Sequence, residues 1–425
     1  MIDLDDLRKR PEVYQKASVD KKCLFDIDAF LRIDGKRRAL LGMTEELRAQ
    51  LNSLSKEVPK LQGEQQSLRR AELKELSIRV KDANAELAEV EELWKREILL
   101  IPSVPLDSVP LGKDDSENVE LRTWGELPRF DFEIKDHIKL GNELDLLNFE
   151  RGASVAGARS YFLKGDGARL HHAVLNFALD FIRTKGYTQY EPPHIVRYDA
   201  MIGTGYFPGG EEMAYHLDQR DSSSYLIGTS EVPLVAYHAK EVFSREALPI
   251  RCAGYSPCYR REAGSYGKDT KGLYRVHQFY KVEQVVICEA DSDVSHKHHE
   301  ELLANAEEFM QLLELPYRVV AVCTGDLGQG QVYKNDIETW MPSREDYCET
   351  HSCSTLYEFQ ARRLKIKYKD TSGKNIFCHT LNNTLVASPR VLIPLLELHQ
   401  QSDGSVRIPK ALQPYMAGQE SITAK

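Results

Sequence analysis

The sequence predicts an α+β protein: an antiparallel β-sheet domain flanked by helices, carrying at its N-terminus a long antiparallel α-helical coiled-coil arm. Three observations predict it. Two apolar seams with steps of three and four lie on either side of a breaker before residue 100, a proline-bearing stretch follows, and alternating segments dominate beyond it.

From about Asp28 to Leu100 the chain has no proline except Pro59 and is rich in Leu, Glu, Ala, Lys and Arg. Leu40, Met43, Leu47, Leu51 and Leu54 form one seam, and Leu76, Val80, Ala83, Leu87, Val90 and Trp94 the other. The break at VPKLQG then folds one helix back on the other. At about 1.5 Å per residue each helix would be roughly 40 Å long, so the hairpin is expected to project beyond a globular body. Read alone, such an arm is a dimerisation or scaffold coiled coil. Residues 31–100 hold 14 Lys and Arg against 13 Asp and Glu, a net of +1 where the whole chain carries -9. An acidic chain argues against a nucleic-acid partner, but a local strip of cations reverses that argument. Arg32, Lys36, Arg37 and Arg38 supply such a strip near the arm's base, and Arg69 and Arg70 near its tip.

The run IPSVPLDSVPLGKDDSENVE brings three prolines and a charge cluster between patterned segments. The expected organisation is an arm domain at 1–105, a linker at 106–120 and a catalytic domain at 121–425. No run of about 18 apolar residues is present, and the acidic N-terminus lacks an apolar signal-peptide core, so a cytoplasmic protein is expected. Eight irregularly spaced cysteines read as reduced thiols. Cys348, Glu349, His351 and Cys353 could be read as zinc ligands, but no second Cys pair supports that, and buried structural cysteines are the preferred reading.

Two segments, 247–262 and 273–289, alternate in polarity around AGSYGKDTKG and predict two antiparallel strands joined by a long loop. Alternation would place Arg260 and Glu262 on one face of the first strand, and Arg275, His277, Phe279, Lys281 and Glu283 on one face of the second. A polar stripe on an open sheet face can simply be solvated. Guanidiniums, an aromatic plane and two carboxylates together point instead to a phosphate-bearing aromatic ligand, a nucleotide. Gly264, Gly267 and Gly272 predict mobility in the loop 263–273.

YRREAGS followed by GLYRVHQFYKVEQ resembles motif 2 of class II aminoacyl-tRNA synthetases, and within that class the seryl-tRNA synthetase family. IGTSEV at 227–232, ETHSCSTLYEFQARR at 349–363 and TLNNTLVASPR at 380–390 resemble the family's landmarks in the expected order, and KGYTQYEPPHIVR at 185–197 is similar to motif 1. The resemblance covers almost the whole chain. It implies a ligase that activates serine with ATP and Mg²⁺ and transfers it to tRNA(Ser), and to tRNA(Sec) where the organism has one. It also implies a homodimer built on motif 1, and an arm that grips the tRNA by backbone and shape.

The resemblance also implies residue roles. Arg260 would hold the α-phosphate and the serine carboxylate, Glu262 the adenine amino group, and Phe279 the adenine ring. Arg275 and Arg390 would bind the pyrophosphate end, and Glu349 and Ser352 the magnesium. Arg261, Val276, Thr350 and His351 complete the ATP contacts. Thr229, Ser230, Glu231, Arg260, Glu283, Asn382 and Thr384 would form the serine pocket, with Thr229 and Glu231 on one strand face, Glu231 on the α-amino group and Glu283 on the hydroxyl. SPRVLIPLLELHQ reads as a helix capped by Ser388 with Pro389 in its first turn, which puts Arg390 at an anion-favouring helix start. Three departures keep every required group: Arg261 where relatives often have Ser, NNT for NGS at 382–384, and TSE for TAE at 229–231. Two other readings stay open, a class II paralogue that loads an amino acid onto a carrier protein and a non-enzymatic coiled-coil scaffold.

Overall fold

The computed structural model describes residues 1–218, 221–264 and 271–424. The mobility expected of the loop 263–273 falls largely on residues 265–270, which lie outside the described residues. The chain divides into two compact units, Met1–Val104 and Pro105–Lys425.

In the first unit two short helices, Leu4–Lys9 and Pro11–Asp20, precede α1 (Ile27–Glu57) and α2 (Gly63–Ile98), which are separated by a 3-10 turn at Val58–Lys60. Asp26 starts α1 by accepting from the Ala29 N–H at 2.8 Å. The helices hold 31 and 36 residues, about 46 and 54 Å, and are longer than expected. Leu47, Leu51 and Leu54 pack with Leu73, Leu76, Val80 and Ala83, and Leu40 with Leu87 and Val90. Met43 is not part of this seam. It is 43% exposed and Thr44 is buried in its place, because a heptad stripe steps by four from Leu40 and then by three to Leu47. Several cations expected to form a basic strip are paired inside the arm: Lys36 with Glu86 at 2.8 Å, Arg37 with Glu91 at 3.0 Å, and Arg69 with Glu72 at 2.6 Å.

At the arm's base Asp34 is fully buried and accepts from Arg8 Nε at 2.9 Å, Arg8 Nη2 at 3.0 Å and Trp94 Nε1 at 3.1 Å. Burial opposes its ionisation, but these donors hold its carboxyl below the usual aspartate range. Because the folded pKa lies below the unfolded one, the stabilisation is complete above the ordinary aspartate range and is lost as pH falls through the folded value. Asp34→Ala is expected to destabilise this unit by about 3 kcal/mol at neutral pH and by much less in acid, read by thermal melts across that range. An equal loss at both ends would refute the pairing.

The second unit is built on an eight-stranded sheet. In chain order its elements are β1 (Val119–Trp124), α3 (His137–Glu143), α4 (Gly165–Thr184), β2 (Thr188–Tyr190), α5 (Glu231–Tyr237), β3 (Ile250–Tyr259), β4 (Gln278–Cys288), α6 (Ser292–Leu312), β5 (Tyr317–Ala321), β6 (Tyr333–Met341), β7 (Asp346–Tyr357), β8 (His379–Ser388) and α7 (Leu392–Leu398). The strand order is β1-β5-β6-β7-β8-β4-β3-β2. Every pairing is antiparallel except β2 on β3, which is parallel. Helices α4 and α6 close one face, where Val174, Phe181, Phe309 and Met310 share a core with Val286, Val319, Ile337 and Leu381. The other face of β4 and β8 carries the site.

The stretch read as a linker at 106–120 is docked on this unit. Leu106 N–H donates to Val332 O at 2.9 Å, Val109 is buried with Val322 and Leu327, and β1 runs across the expected 120/121 boundary. Prolines break periodicity, but apolar side chains between them still find a core.

Both strands of the central hairpin are shorter than alternation predicts. They pair from Tyr259 opposite Gln278 inward, so Arg260 to Glu262 and Arg275 to His277 lie beyond the ladder, with Glu262 at φ +51°. His277 therefore leaves the expected face. Its ring Nδ1 bonds the Arg260 carbonyl at 2.9 Å, and it lines a separate cavity. Ser388 likewise does not cap a helix. It ends β8, its hydroxyl meets His171 Nδ1 at 2.8 Å, and α7 begins only at Leu392. All eight cysteines are free thiols, and no helix among the described residues is long and apolar enough to cross a membrane.

Candidate active site

A cavity of about 420 Å³, within the range of small-ligand sites, opens on the face of β4 and β8 away from α6. Phe279, Lys281 and Glu283 enter it from β4 as alternate residues, and Asn382 and Thr384 from β8. Glu349 and Ser352 enter from β7 although they are three residues apart. A bulge explains this: Ile337 pairs with His351 and Glu338 with Glu349, so Thr350 is an extra residue that reverses the alternation. A second bulge, at Leu385 on β8, lets Thr384 and Ala387 share the same face.

One end of the cavity holds two buried carboxylates. Glu231 is not on a strand but is the first residue of α5. Its Oε1 accepts from Gln360 Nε2 at 2.7 Å and its Oε2 from Tyr206 Oη at 2.8 Å. Burial, and then the nearby Glu283 carboxylate, push Glu231 above the usual range. Glu283 is itself tied to Lys281, whose Nζ lies 2.5 Å from Glu283 Oε2. Two negative groups and one fixed cation leave this end short of one positive charge.

The other end is cationic. Arg260 donates from Nε to Gly228 O at 3.3 Å, and its guanidinium lies 5.3 Å from the centre of the Phe279 ring. Tyr274 has two guanidinium carbons close to its ring centre, Arg344 at 4.3 Å and Arg390 at 4.4 Å. Arg390 Nε donates to Tyr274 O at 3.3 Å, and Nη1 lies 3.5 Å from Glu349 Oε1. Glu262 pairs with Arg275 at 3.5 Å. Partial desolvation in the cavity opposes charge on Glu349, whose side chain is 46% exposed, but Lys334 first, then Arg390, Arg260 and Arg275, hold it below the usual glutamate range. On β6 opposite Ser352, Asp336 pairs with Lys334 at 2.9 Å, and burial pushes Asp336 up against the pull of that lysine.

Five expected contacts lie outside the lining formed by the described residues. Thr229 and Ser230 sit at the start of a helix rather than on a strand, so they do not share a face with Glu231. Thr229 Oγ1 accepts from the Glu231 N–H at 3.2 Å, and the Ser230 hydroxyl donates to Gly254 O at 3.2 Å. Gly254 allows that approach, since a Cβ there would stand 2.6 Å from Ser230 Oγ. Arg261 is exposed, its N–H bonded to Met213 O, because the chain leaves the ladder at Tyr259. Arg275 stands behind Glu262. His351 points into the core on the far side of the bulge and uses both ring nitrogens, on Thr350 Oγ1 at 2.8 Å and Leu385 O at 3.0 Å, so none is spare for a metal. Sequence reading assigned no role to Lys281, Lys334, Asp336, Tyr206, Gln360, Tyr274 or Arg344. Lys281 carried a signal, as the one cation between Phe279 and Glu283.

The donor set suits magnesium, which takes oxygen ligands from one or two carboxylates and fills its shell with phosphate and water. Glu349 is ionised and open to the cavity with the Ser352 hydroxyl on the same face.

Comparison with known proteins agrees with this architecture. The family description "tRNA synthetase class II core domain (G, H, P, S and T)" matches residues 215–399, and "Seryl-tRNA synthetase N-terminal domain" matches residues 1–105. A serine–tRNA ligase of Deinococcus radiodurans is 46% identical over 422 residues, which is 99% of each chain, and one of Nitrosopumilus maritimus is 41% identical over 425 residues, covering 99% of this chain and all of that one. The crystal structure of the Pyrococcus horikoshii seryl-tRNA synthetase complexed with ATP superposes with a TM-score of 0.93 at 36% identity and full coverage of both chains. That of the Naegleria fowleri enzyme with AMP gives 0.85 at 32%, covering 98% of this chain and 96% of the other.

Proposed function

The chain belongs to the seryl-tRNA synthetase family, and from that premise we propose how its cavity makes seryl-tRNA from serine, ATP and tRNA. The protein is a serine–tRNA ligase. In the first step a serine carboxylate oxygen attacks the α-phosphorus of ATP and the bond to pyrophosphate breaks. In the second the terminal adenosine hydroxyl of tRNA(Ser) attacks the seryl carbonyl and AMP leaves. No covalent protein intermediate is required, so the protein contributes position and fixed charge.

The observation that carries the assignment is the polarity of the cavity. The end short of a positive charge fits the serine ammonium against Glu231, with the hydroxyl donating to Glu283 and closed in by Asn382 and Thr384. Arg260 stands between the two ends, where one planar fork can hold the serine carboxylate and an α-phosphate oxygen together. Phe279 offers its face to adenine, and Glu262, kept in place by Arg275, accepts from the adenine amino group. The stack of Arg344, Tyr274 and Arg390 lies where the β- and γ-phosphates leave. Glu349 and Ser352 would hold magnesium, which would supply positive charge to offset that of the phosphates. The arm of residues 1–105 serves the tRNA. Residues 185–197, which include the edge strand β2, are the surface we assign to the second subunit of a homodimer, and the compartment we assign is the cytoplasm.

Amino-acid-dependent ATP–pyrophosphate exchange across all twenty amino acids, followed by charging of total tRNA, tests this reading. Serine alone is expected to support exchange, and charging to follow. Replacing residues 36–91 with a short Gly–Ser linker is expected to abolish charging and leave exchange intact. Exchange without charging in the intact chain would favour the carrier-loading paralogue.

A further inference from the structure

One buried pair that was given no role above ties together three segments at the phosphate end of the cavity. His137 opens α3 and Glu397 lies in α7. The backbone N–H and the ring Nδ1 of His137 both reach Glu397 Oε1, at 2.9 and 2.8 Å, and the ring's Nε2 accepts from the backbone N–H of Leu273 at 3.2 Å. Those partners specify the neutral imidazole protonated on Nδ1, because only an unprotonated Nε2 can face an amide N–H. Ser343 completes the cluster, its N–H donating to Glu397 Oε2 at 3.0 Å and its hydroxyl to Oε1 at 2.8 Å. Burial opposes charge on Glu397, yet the donors from His137 and Ser343 hold it below the usual carboxylate range.

Each captured backbone position is next to a member of the cationic stack or leads into it. Leu273 precedes Tyr274, Ser343 precedes Arg344, and α7 follows Arg390. The approach of Leu273 to the imidazole is made possible by Gly272, which has φ +82° and where a Cβ would stand 2.4 Å from His137 Nε2. A carboxylate with four donors would be an ordinary way to satisfy a buried charge, but here the donors come from two chain segments, at His137 and Ser343, and His137 in turn holds a third at Leu273.

We propose that His137 and Glu397 are positioning residues that hold the Arg344–Tyr274–Arg390 stack in register for the β- and γ-phosphates of ATP. The proposal rests on the ATP-site assignment above. Neither residue lines the cavity, so the effect passes through the backbone at Leu273 and Ser343. It is therefore selective for ligands that carry the leaving phosphates.

The test is calorimetric binding of two ligands to the full chain: ATP, and a non-hydrolysable sulfamoyl analogue of seryl-adenylate that lacks the β- and γ-phosphates. His137→Ala is expected to weaken ATP about tenfold and the analogue by less than about twofold, the loss of one fixed hydrogen-bonded contact. Gly272→Ala attacks the same contact from the other side, crowding His137 Nε2 while both side chains of the buried pair are kept, and the same selective loss is expected. Equal weakening of both ligands, or no change in either, overturns the proposal. If His137→Ala shows no cooperative melting transition, Gly272→Ala decides alone. Arg390→Ala serves as the reference: if it leaves ATP affinity unchanged, the ATP-site assignment fails and takes the proposal with it. If Arg390→Ala weakens ATP while His137→Ala and Gly272→Ala do not, only the positioning role is refuted.

Discussion

Replacing Arg260 with alanine lowers the rate of seryl-adenylate formation by about 10²–10³-fold, the loss expected when one preorganised donor to a developing charge is removed. The guanidinium is held from both sides, by the Gly228 carbonyl at 3.3 Å and by the Phe279 ring, so its fork is fixed before substrate arrives. It also contributes to keeping Glu349 ionised. The loss should fall mainly on kcat rather than on KM for serine, since the contacts proposed for Glu231 with the ammonium and Glu283 with the hydroxyl would remain. Arg260→Lys keeps the charge and loses the second arm of the fork, so an intermediate rate is expected. Single-turnover formation of seryl-adenylate measures the step directly. An unchanged rate in the alanine variant would remove Arg260 from the catalytic assignment.

Glu283→Gln is expected to lower kcat/KM for serine by about 10²–10³-fold and to narrow the preference for serine over alanine. A pocket built to hydrogen-bond a hydroxyl rejects the analogue lacking it by about 10⁴–10⁵, because its own buried polar groups would be stranded. Glutamine preserves the shape but offers one acceptor instead of a carboxylate, so that penalty shrinks. Lys281 makes the choice of substitution matter. Its ammonium is buried against Glu283 Oε2 at 2.5 Å, and Glu283→Ala would leave it without that partner, at a cost of about 3–5 kcal/mol in folding stability. The glutamine variant should melt close to the wild type and the alanine variant well below it. Exchange assays with serine and alanine on both proteins separate the two effects, and normal serine activation by Glu283→Gln would refute the hydroxyl assignment.

The elements read best from sequence were those whose side chains obey a fixed period. Phe279 and Glu283 on β4 share the face that period two predicts, and Asn382 and Thr384 on β8, two apart and singled out by the family resemblance, share one as well. The arm followed from its heptads, with Met43 the one residue displaced. Errors gathered where the period ends or slips. Alternation was carried past Tyr259 and back before Gln278, and it was applied to Thr229 and Glu231, which begin a helix. Partners across the sheet were invisible for a different reason. Lys334 and Asp336 meet Ser354 and Ser352 only through the β6–β7 register, and Tyr206 and Gln360 reach Glu231 from segments 25 and 129 residues away. No spacing within one segment encodes such a meeting.

Thr350 divides β7 into two half-strands of opposite phase. Before the bulge Glu349, at an odd position, looks into the cavity, and from Ser352 onward the even positions Ser352, Ser354 and Leu356 do. Glu349 and Ser352, three residues apart, thus reach the same face from one continuous ribbon whose two halves answer to different parities. A bulge also sharpens local twist, so the half-strand bearing Glu349 and the half-strand bearing Ser352 and Ser354 present their side chains along different directions. The two proposed ligands of one magnesium ion are then supplied by the shape of a single strand, with no hinge and no second element to align.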